Sequence, residues 1–446
     1  MKTPIVDFVK AYTESDTARF HMPGHKGKSR LGCETLDITE IAGADCLYSA
    51  DGVILESENN ATSLFGTAHS FYSAEGSTLA IKTMLALVTE DTRSKGERPL
   101  VIAARNAHKA FINSCALLDI DVHWIYPEGD EHMCECRINA RDVEKAITES
   151  AVKPSAVYLT SPDYLGNIYD IKSISEVCKK HGVPLTVDNA HGAYLKFLAP
   201  SQHPIDLGAD IVCDSAHKTL PVLTGGAYLH VSKSANQAYL ARARDYLSLF
   251  SSTSPSYLIL QSLDMCNKYL AEEYRGELCE FIRRFDVLKA TVVALGFKVL
   301  ASEPLKLVID ANASGYTGCE LAEALREHHV EVEFADGKYT VLMATPDNTE
   351  AELDMLRTAL AGVTPRKPIE KAPPKYPKAE QALSIREAML CPTETVNAED
   401  AKGRICGTPA VSCPPAVPII VSGERVTDEV IELLKFYGTE YIKVIK

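Results

Sequence analysis

The sequence predicts an α/β protein with a large domain on a mostly parallel sheet, a smaller α+β domain and a C-terminal α+β module. Three observations carry this expectation. Short apolar runs at 100–103, 156–160, 185–188, 211–213 and 227–231 alternate with helical segments, the pattern of buried strands joined by crossovers. Two capping boxes, Thr317-Gly318-Cys319-Glu320 and Thr349-Glu350-Ala351-Glu352, each precede a leucine-bearing helix. Repeated prolines between 364 and 378 forbid regular helix or central strand.

Taken in order, residues 1–70 form an N-terminal arm. It has one short helical candidate, a turn-rich His21-Met22-Pro23-Gly24-His25-Lys26-Gly27, and a stretch from Asp37 to Thr62 with few long apolar runs. Residues 71–290 form the large domain with its following helices. Gly76-Ser77-Thr78 opens an apolar helix, and Ile174, Val177 and Cys178 mark one face of another that Gly182 closes. The run from Ser251 to Ser256 breaks the long helices after 236. The small domain covers 291–363, the proline-rich linker 364–378 and the C-terminal module 379–446.

Composition narrows the function classes. With 446 residues, 46% hydrophobic and 24% charged, the chain has ample core for two or three domains. A formal charge of −14 argues against a nucleic-acid binder, which needs a basic face, and mildly favours a cationic substrate. Thirteen scattered cysteines read as reduced thiols buried as small hydrophobes. His132-Met133-Cys134-Glu135-Cys136 is better explained by incidental cysteines than by a metal site, so no metal is expected. The N-terminus lacks the pattern of a secretory signal, and no apolar run reaches membrane-spanning length. A cytoplasmic protein without membrane or nucleic-acid partners is the expectation.

The chemistry centres on Ser215-Ala216-His217-Lys218-Thr219-Leu220. A lysine just past a buried strand can be desolvated toward the neutral amine that a Schiff base requires. Gly76-Ser77-Thr78, at a helix start, can cradle a phosphate or serve only as an N-cap. Asp188, ending a strand, can pair with a protonated ring nitrogen or cap a helix. His108, after the strand at 101–103, can lie on an aromatic ring or be structural. Lys218 follows Asp188 by 30 residues, about one further αβ unit, which puts both at one sheet edge, where open α/β sheets bind ligands. Phosphate cradle, stacking histidine, acidic partner and lysine are together what pyridoxal phosphate needs.

At this point the chain resembles the Orn/Lys/Arg decarboxylases, fold-type-I pyridoxal-phosphate enzymes. The likeness rests on Phe20-His21-Met22-Pro23-Gly24-His25-Lys26-Gly27, Asp37-Ile38-Thr39-Glu40 with Leu64-Phe65-Gly66, the Lys218 segment, Ile385-Arg386-Glu387-Ala388 and Pro414-Pro415. The resemblance implies a fold-type-I large domain, Lys218 as the aldimine lysine, Asp188 as the pyridine-nitrogen partner and His108 as the stacking residue. It assigns Gly76, Ser77, Thr78, His191, Ser215 and His217 to the cofactor, with Thr253 and Ser254 reaching a partner subunit's site in a homodimer or larger assembly. His217 or Lys218 returns the proton to Cα. Glu424 is the candidate for the substrate's basic side chain, with a solvated turn as its alternative.

The implied reaction is decarboxylation of arginine, lysine or ornithine to the amine and CO₂, in polyamine biosynthesis. An aminotransferase or lyase reaction and a non-catalytic cofactor-binding homologue are the competing readings. The resemblance is to the short bacterial type, without an N-terminal wing domain. Departures from the family pattern fall at Glu75, Asp163, Leu165, Asn189, Tyr194 and Ala416, where Asn189 replaces Glu, Tyr194 replaces His and Ala416 replaces Gly.

Overall fold

The computed structural model describes residues 1–127, 132–370, 374–410 and 415–446. Pro414 of the C-terminal motif and residues 371–373 of the linker lie outside the described residues. The chain divides into two compact units, Met1–Lys95 with Ile171–Gly276, and Gly96–Asp170 with Glu277–Lys446.

In the first unit the strand Leu185–Asp188 runs parallel to Ile211–Asp214, with Asp188 opposite Cys213. Ile211–Asp214 is antiparallel to Ala227–Val231, which is antiparallel to His69–Ser73. The three expected strands Leu185–Asp188, Ile211–Asp214 and Ala227–Val231 are buried along their length, as their unbroken apolar runs require. The strand His69–Ser73 escapes sequence reading because His, Ser and Tyr mask its apolar signal. Gly76–Ser94 is helical and buries Leu79, Ile81, Met84, Leu85 and Leu87. Ile171–His181 buries Ile171, Ile174 and Cys178, ends on Lys179, Lys180 and His181, which suit the negative end of the helix dipole, and is followed by Gly182 at φ +61°.

Two expectations need correction here. The stretch from Asp37 to Thr62 is not merely an arm: Val53–Phe65 is a helix that buries Ile54, Ser57, Glu58, Ala61 and Phe65. Its buried face is partly polar, and partners in the same unit satisfy it. Ser57 Oγ bonds the Tyr72 hydroxyl at 2.6 Å, and Glu58 takes the Tyr72 amide at 3.0 Å and the Arg244 guanidinium. A hydrophobic-periodicity reading cannot see such a face. Between Asp188 and Ile211 there is no α-helix; a 3-10 turn at Ala193–Phe197 and a loop make the parallel connection. The helices Ala238–Phe250 and Tyr257–Glu272 flank the expected break.

In the second unit Leu100–Ala104 lies between two parallel neighbours, Asp121–Ile125 and Ala156–Thr160. The strand Asp121–Ile125 was not foreseen, because Asp, His and Trp dilute its apolar run. A four-stranded antiparallel sheet follows, ordered Phe334–Ala335, Tyr339–Met343, Lys306–Asp310, Lys298–Val299. Both capping boxes form: Thr317 and Glu320 open Gly318–Glu327, and Thr349 and Glu352 open Glu350–Gly362. The C-terminal module pairs Thr393–Asn397 with Tyr441–Ile445 and adds the helix Asp428–Phe436. Its Ile420, Val430, Leu434 and Val444 share one apolar core with Val308, Phe334 and Val341.

Candidate active site

Lys218 sits in the single turn Ala216–Thr219 that follows Ile211–Asp214. Its Nζ lies 3.0 Å from His191 Nε2, so the lysine and a histidine from the turn after Asp188 share a hydrogen bond. His217 donates Nδ1–H to the Gly226 carbonyl at 2.9 Å, which leaves Nε2 of the neutral ring without a proton. Burial pushes the His217 pKa down and the nearby Lys218 charge adds to this, against the opposing pull of the Gly226 bond. Ser215 Oγ donates to Ser77 Oγ at 2.7 Å, joining the lysine turn to the start of Gly76–Ser94.

That helix start fits a phosphate. Gly76 has φ +68° and open space where a Cβ would stand, so glycine is there for its backbone sign and leaves the approach clear. Ser77 is half-buried and Thr78 exposed, and first-turn amides of a helix attract anions. Glu75, the apparent obstacle, has its Oε1 accepting the Ser252 amide at 2.6 Å, so its carboxylate is drawn to the segment that carries Thr253 and Ser254. Both of these are exposed.

Asp188 is buried, accepting from the Ala190 amide at 3.2 Å and from the Cys213 thiol at 3.6 Å. The next residue, Asn189, donates Nδ2–H to Asp214 Oδ1 at 2.6 Å. Asp214 was not singled out from sequence; its signal was its place as the last strand residue before Ser215. Tyr194, at a position expected to hold His, is fully buried.

Two sequence candidates belong to the second unit. His108 caps Lys109–Leu118, its Nδ1 accepting the Ala110 amide at 3.1 Å, and it is half-buried. Glu424 is no solvated turn residue. It is 2% exposed, accepts the Val421 amide at 2.7 Å and pairs with Arg105 at 3.2 Å. Arg105 is held further by the Pro418 and Ile419 carbonyls and by the rings of Trp124 and Tyr376. Burial raises the Glu424 pKa above the ordinary carboxylate range, although Arg105 pulls the other way. A carboxylate so enclosed already has its counter-ion, which tells against a substrate cation as its partner.

The cysteines among the described residues are free. His132 binds Asp336, and the Cys136 thiol donates to the Ile125 carbonyl at 3.4 Å. No helix of the described residues is long and apolar enough to cross a membrane.

The family model for the Orn/Lys/Arg decarboxylase major domain matches residues 3–296, and that for the Orn/Lys/Arg decarboxylase C-terminal domain matches residues 370–441. The chain belongs to the Orn/Lys/Arg decarboxylase family. An arginine decarboxylase of Halalkalibacterium halodurans is 30% identical over 460 residues, covering 96% of this chain and 91% of that protein. One of Bacillus subtilis is 28% identical, covering 96% and 92%. In fold, the Francisella novicida lysine decarboxylase LdcF superposes with a TM-score of 0.81 at 16% identity, covering 100% of this chain and 81% of that one. Membership in the Orn/Lys/Arg decarboxylase family makes the chain an amino-acid decarboxylase, and the family together with its fold neighbours implies pyridoxal phosphate as cofactor.

Proposed function

We propose that this chain decarboxylates a basic amino acid, with arginine first, then lysine and ornithine. The observation that carries the reading is the convergence on one strand edge of Lys218 with His191, Ser215 with Ser77, and buried Asp188. The identity to arginine decarboxylases supports the order of substrates, and the charge of −14 agrees with a cationic substrate.

When bound, pyridoxal phosphate supplies the electron sink into which the Cα–carboxylate bond breaks. Lys218 would hold the cofactor covalently, with His191 placed to take or give a proton at Nζ. Asp188 would keep a proton on the ring nitrogen. Ser77, Thr78, Ser215 and the first amides of Gly76–Ser94 would hold the phosphate, and the family pattern assigns His108 to the ring. The tautomer of His217 supports Lys218 as the group that returns a proton to Cα, because the Nε2 of a neutral His217 has none to give. Domain boundaries as expected from sequence, a cytoplasmic setting, a role in polyamine biosynthesis and a homodimer completed by Thr253 and Ser254 belong to the same proposal.

The test is a panel of arginine, lysine and ornithine with product identification. CO₂ and the matching amine are expected, with the highest kcat/KM for arginine. Keto acid without CO₂ overturns the reaction, and bound cofactor without turnover of any amino acid favours a non-catalytic homologue. Lys218→Ala should abolish the visible absorbance of the lysine-linked cofactor and lower turnover by about 10³-fold or more.

A further inference from the structure

Next to Asp188 lies a buried cluster that the proposed reaction does not use. Asp214, Asn189, His203 and His230 are without solvent exposure. Asp214 Oδ1 accepts from Asn189 Nδ2 at 2.6 Å, and Oδ2 accepts from Nε2 of His203 at 3.0 Å and of His230 at 3.1 Å. Nδ1 of His203 accepts the Ile205 amide at 3.2 Å, so Nε2 is the nitrogen that carries a proton toward Asp214. His230 turns Nδ1 to the Ser70 hydroxyl at 2.8 Å, and burial pushes its pKa down despite Asp214.

The three side chains are close enough to hold a metal ion. The hydrogen bonds argue otherwise: the nitrogens that face the carboxylate donate to it, so the cluster is an anion held by N–H groups. Burial alone would raise the Asp214 pKa, but His203 and His230 reverse this and keep it below the ordinary carboxylate range. An ionised carboxylate in so buried a setting acts over a longer distance than in water. Of the charged groups nearby, Lys196 is committed to Asp206 at 2.6 and 2.7 Å, and Tyr228, stacked on His230, is held neutral by burial.

Successive strand residues point to opposite faces, and the end of Ile211–Asp214 uses both to grip the Asp188-Asn189 pair. Cys213 accepts the Asn189 amide at 2.9 Å and gives its thiol to Asp188, while Asp214 takes the Asn189 side chain. We infer that Asp214 is a positioning residue for the cofactor, a buried anion that fixes Asp188 through Asn189 and adds negative charge behind the ring-nitrogen partner. This rests on the pyridoxal-phosphate reading above.

The test uses Asp214→Asn, which removes the charge at constant shape, and the swap Asn189→Asp with Asp214→Asn, which moves the anion across the same hydrogen bond. The readouts on the cofactor-loaded protein are the pH midpoint of its visible absorbance and its melting temperature. Losing a nearby anion disfavours the protonated, more positive form, so the midpoint in Asp214→Asn should fall by about half a pH unit or more. The swap should return it to the wild-type value. An unchanged midpoint in Asp214→Asn overturns the inference, as does a swap variant that fails to recover the wild-type midpoint, folded or not. A wild-type protein that develops no visible band with pyridoxal phosphate overturns the cofactor reading itself, which is a separable result.

Discussion

Two buried carboxylates, Glu424 in the second unit and Asp214 in the first, are stabilised by opposite means. Glu424 faces a full positive charge: Arg105 is paired to it, with two backbone carbonyls and the rings of Trp124 and Tyr376 around the guanidinium. Asp214 faces two imidazoles and an amide. Burial dominates at Glu424, whose pKa rises, whereas the charge and hydrogen bonds of His203 and His230 outweigh burial at Asp214, whose pKa falls. A charge cancelled by an arginine is spent locally and holds structure together. A carboxylate kept ionised by imidazoles and an amide in a buried site can influence chemistry beside it.

That contrast can be broken by experiment. Arg105→Met leaves Glu424 buried without its cation and should destabilise the protein by about 3–5 kcal/mol in chemical denaturation. Adding Glu424→Gln to that variant should recover part of the loss, because the stranded charge is then gone. If Glu424→Gln alone instead raises KM for arginine and leaves stability unchanged, Glu424 serves the substrate and the comparison fails.

A third buried carboxylate sharpens it. Asp163 accepts the amides of Leu165 and Asn167, each at 2.9 Å, and burial raises its pKa to about 7 in spite of the Asn167 hydrogen bonds. Its folded pKa lies above the unfolded value of about 3.9, so the folded state binds the extra proton. The resulting stability is full below about pH 4 and is lost as pH rises through about 7, on the order of 4 kcal/mol. Asp163→Asn should flatten that slope in denaturation measured at several pH values. The smallest effect is expected at Ala416, which holds φ +57° while its carbonyl accepts the Lys109 amide at 2.9 Å. Ala416→Gly should relieve the left-handed strain and raise stability by about 0.5–1 kcal/mol, read as a higher melting temperature.

Much of the fold was legible in the residues. Strands with unbroken apolar runs were found because a strand buried on both faces has no polar alternation to confuse it. His69–Ser73 and Asp121–Ile125 were missed because their polar residues hide the same burial. Val53–Phe65 escapes a local reading because its inward face carries Ser57 and Glu58, whose partners Asp264 and Arg244 are distant in sequence. The Lys218 turn and the Gly76 helix start could be read locally, since backbone sign, hydroxyls and strand ends are local properties.

By itself the sequence determined the α/β class, the capping of the small-domain helices, the lysine turn and the family resemblance, all set by neighbours a few residues apart. Only the tertiary structure decided which charges are cancelled and which persist. Arg105 meets Glu424 across more than three hundred residues of chain, and Asp214 gathers Asn189, His203 and His230 from separate turns and strands. Electrostatic partnership depends on distance and burial in space, and neither is written in the order of the residues.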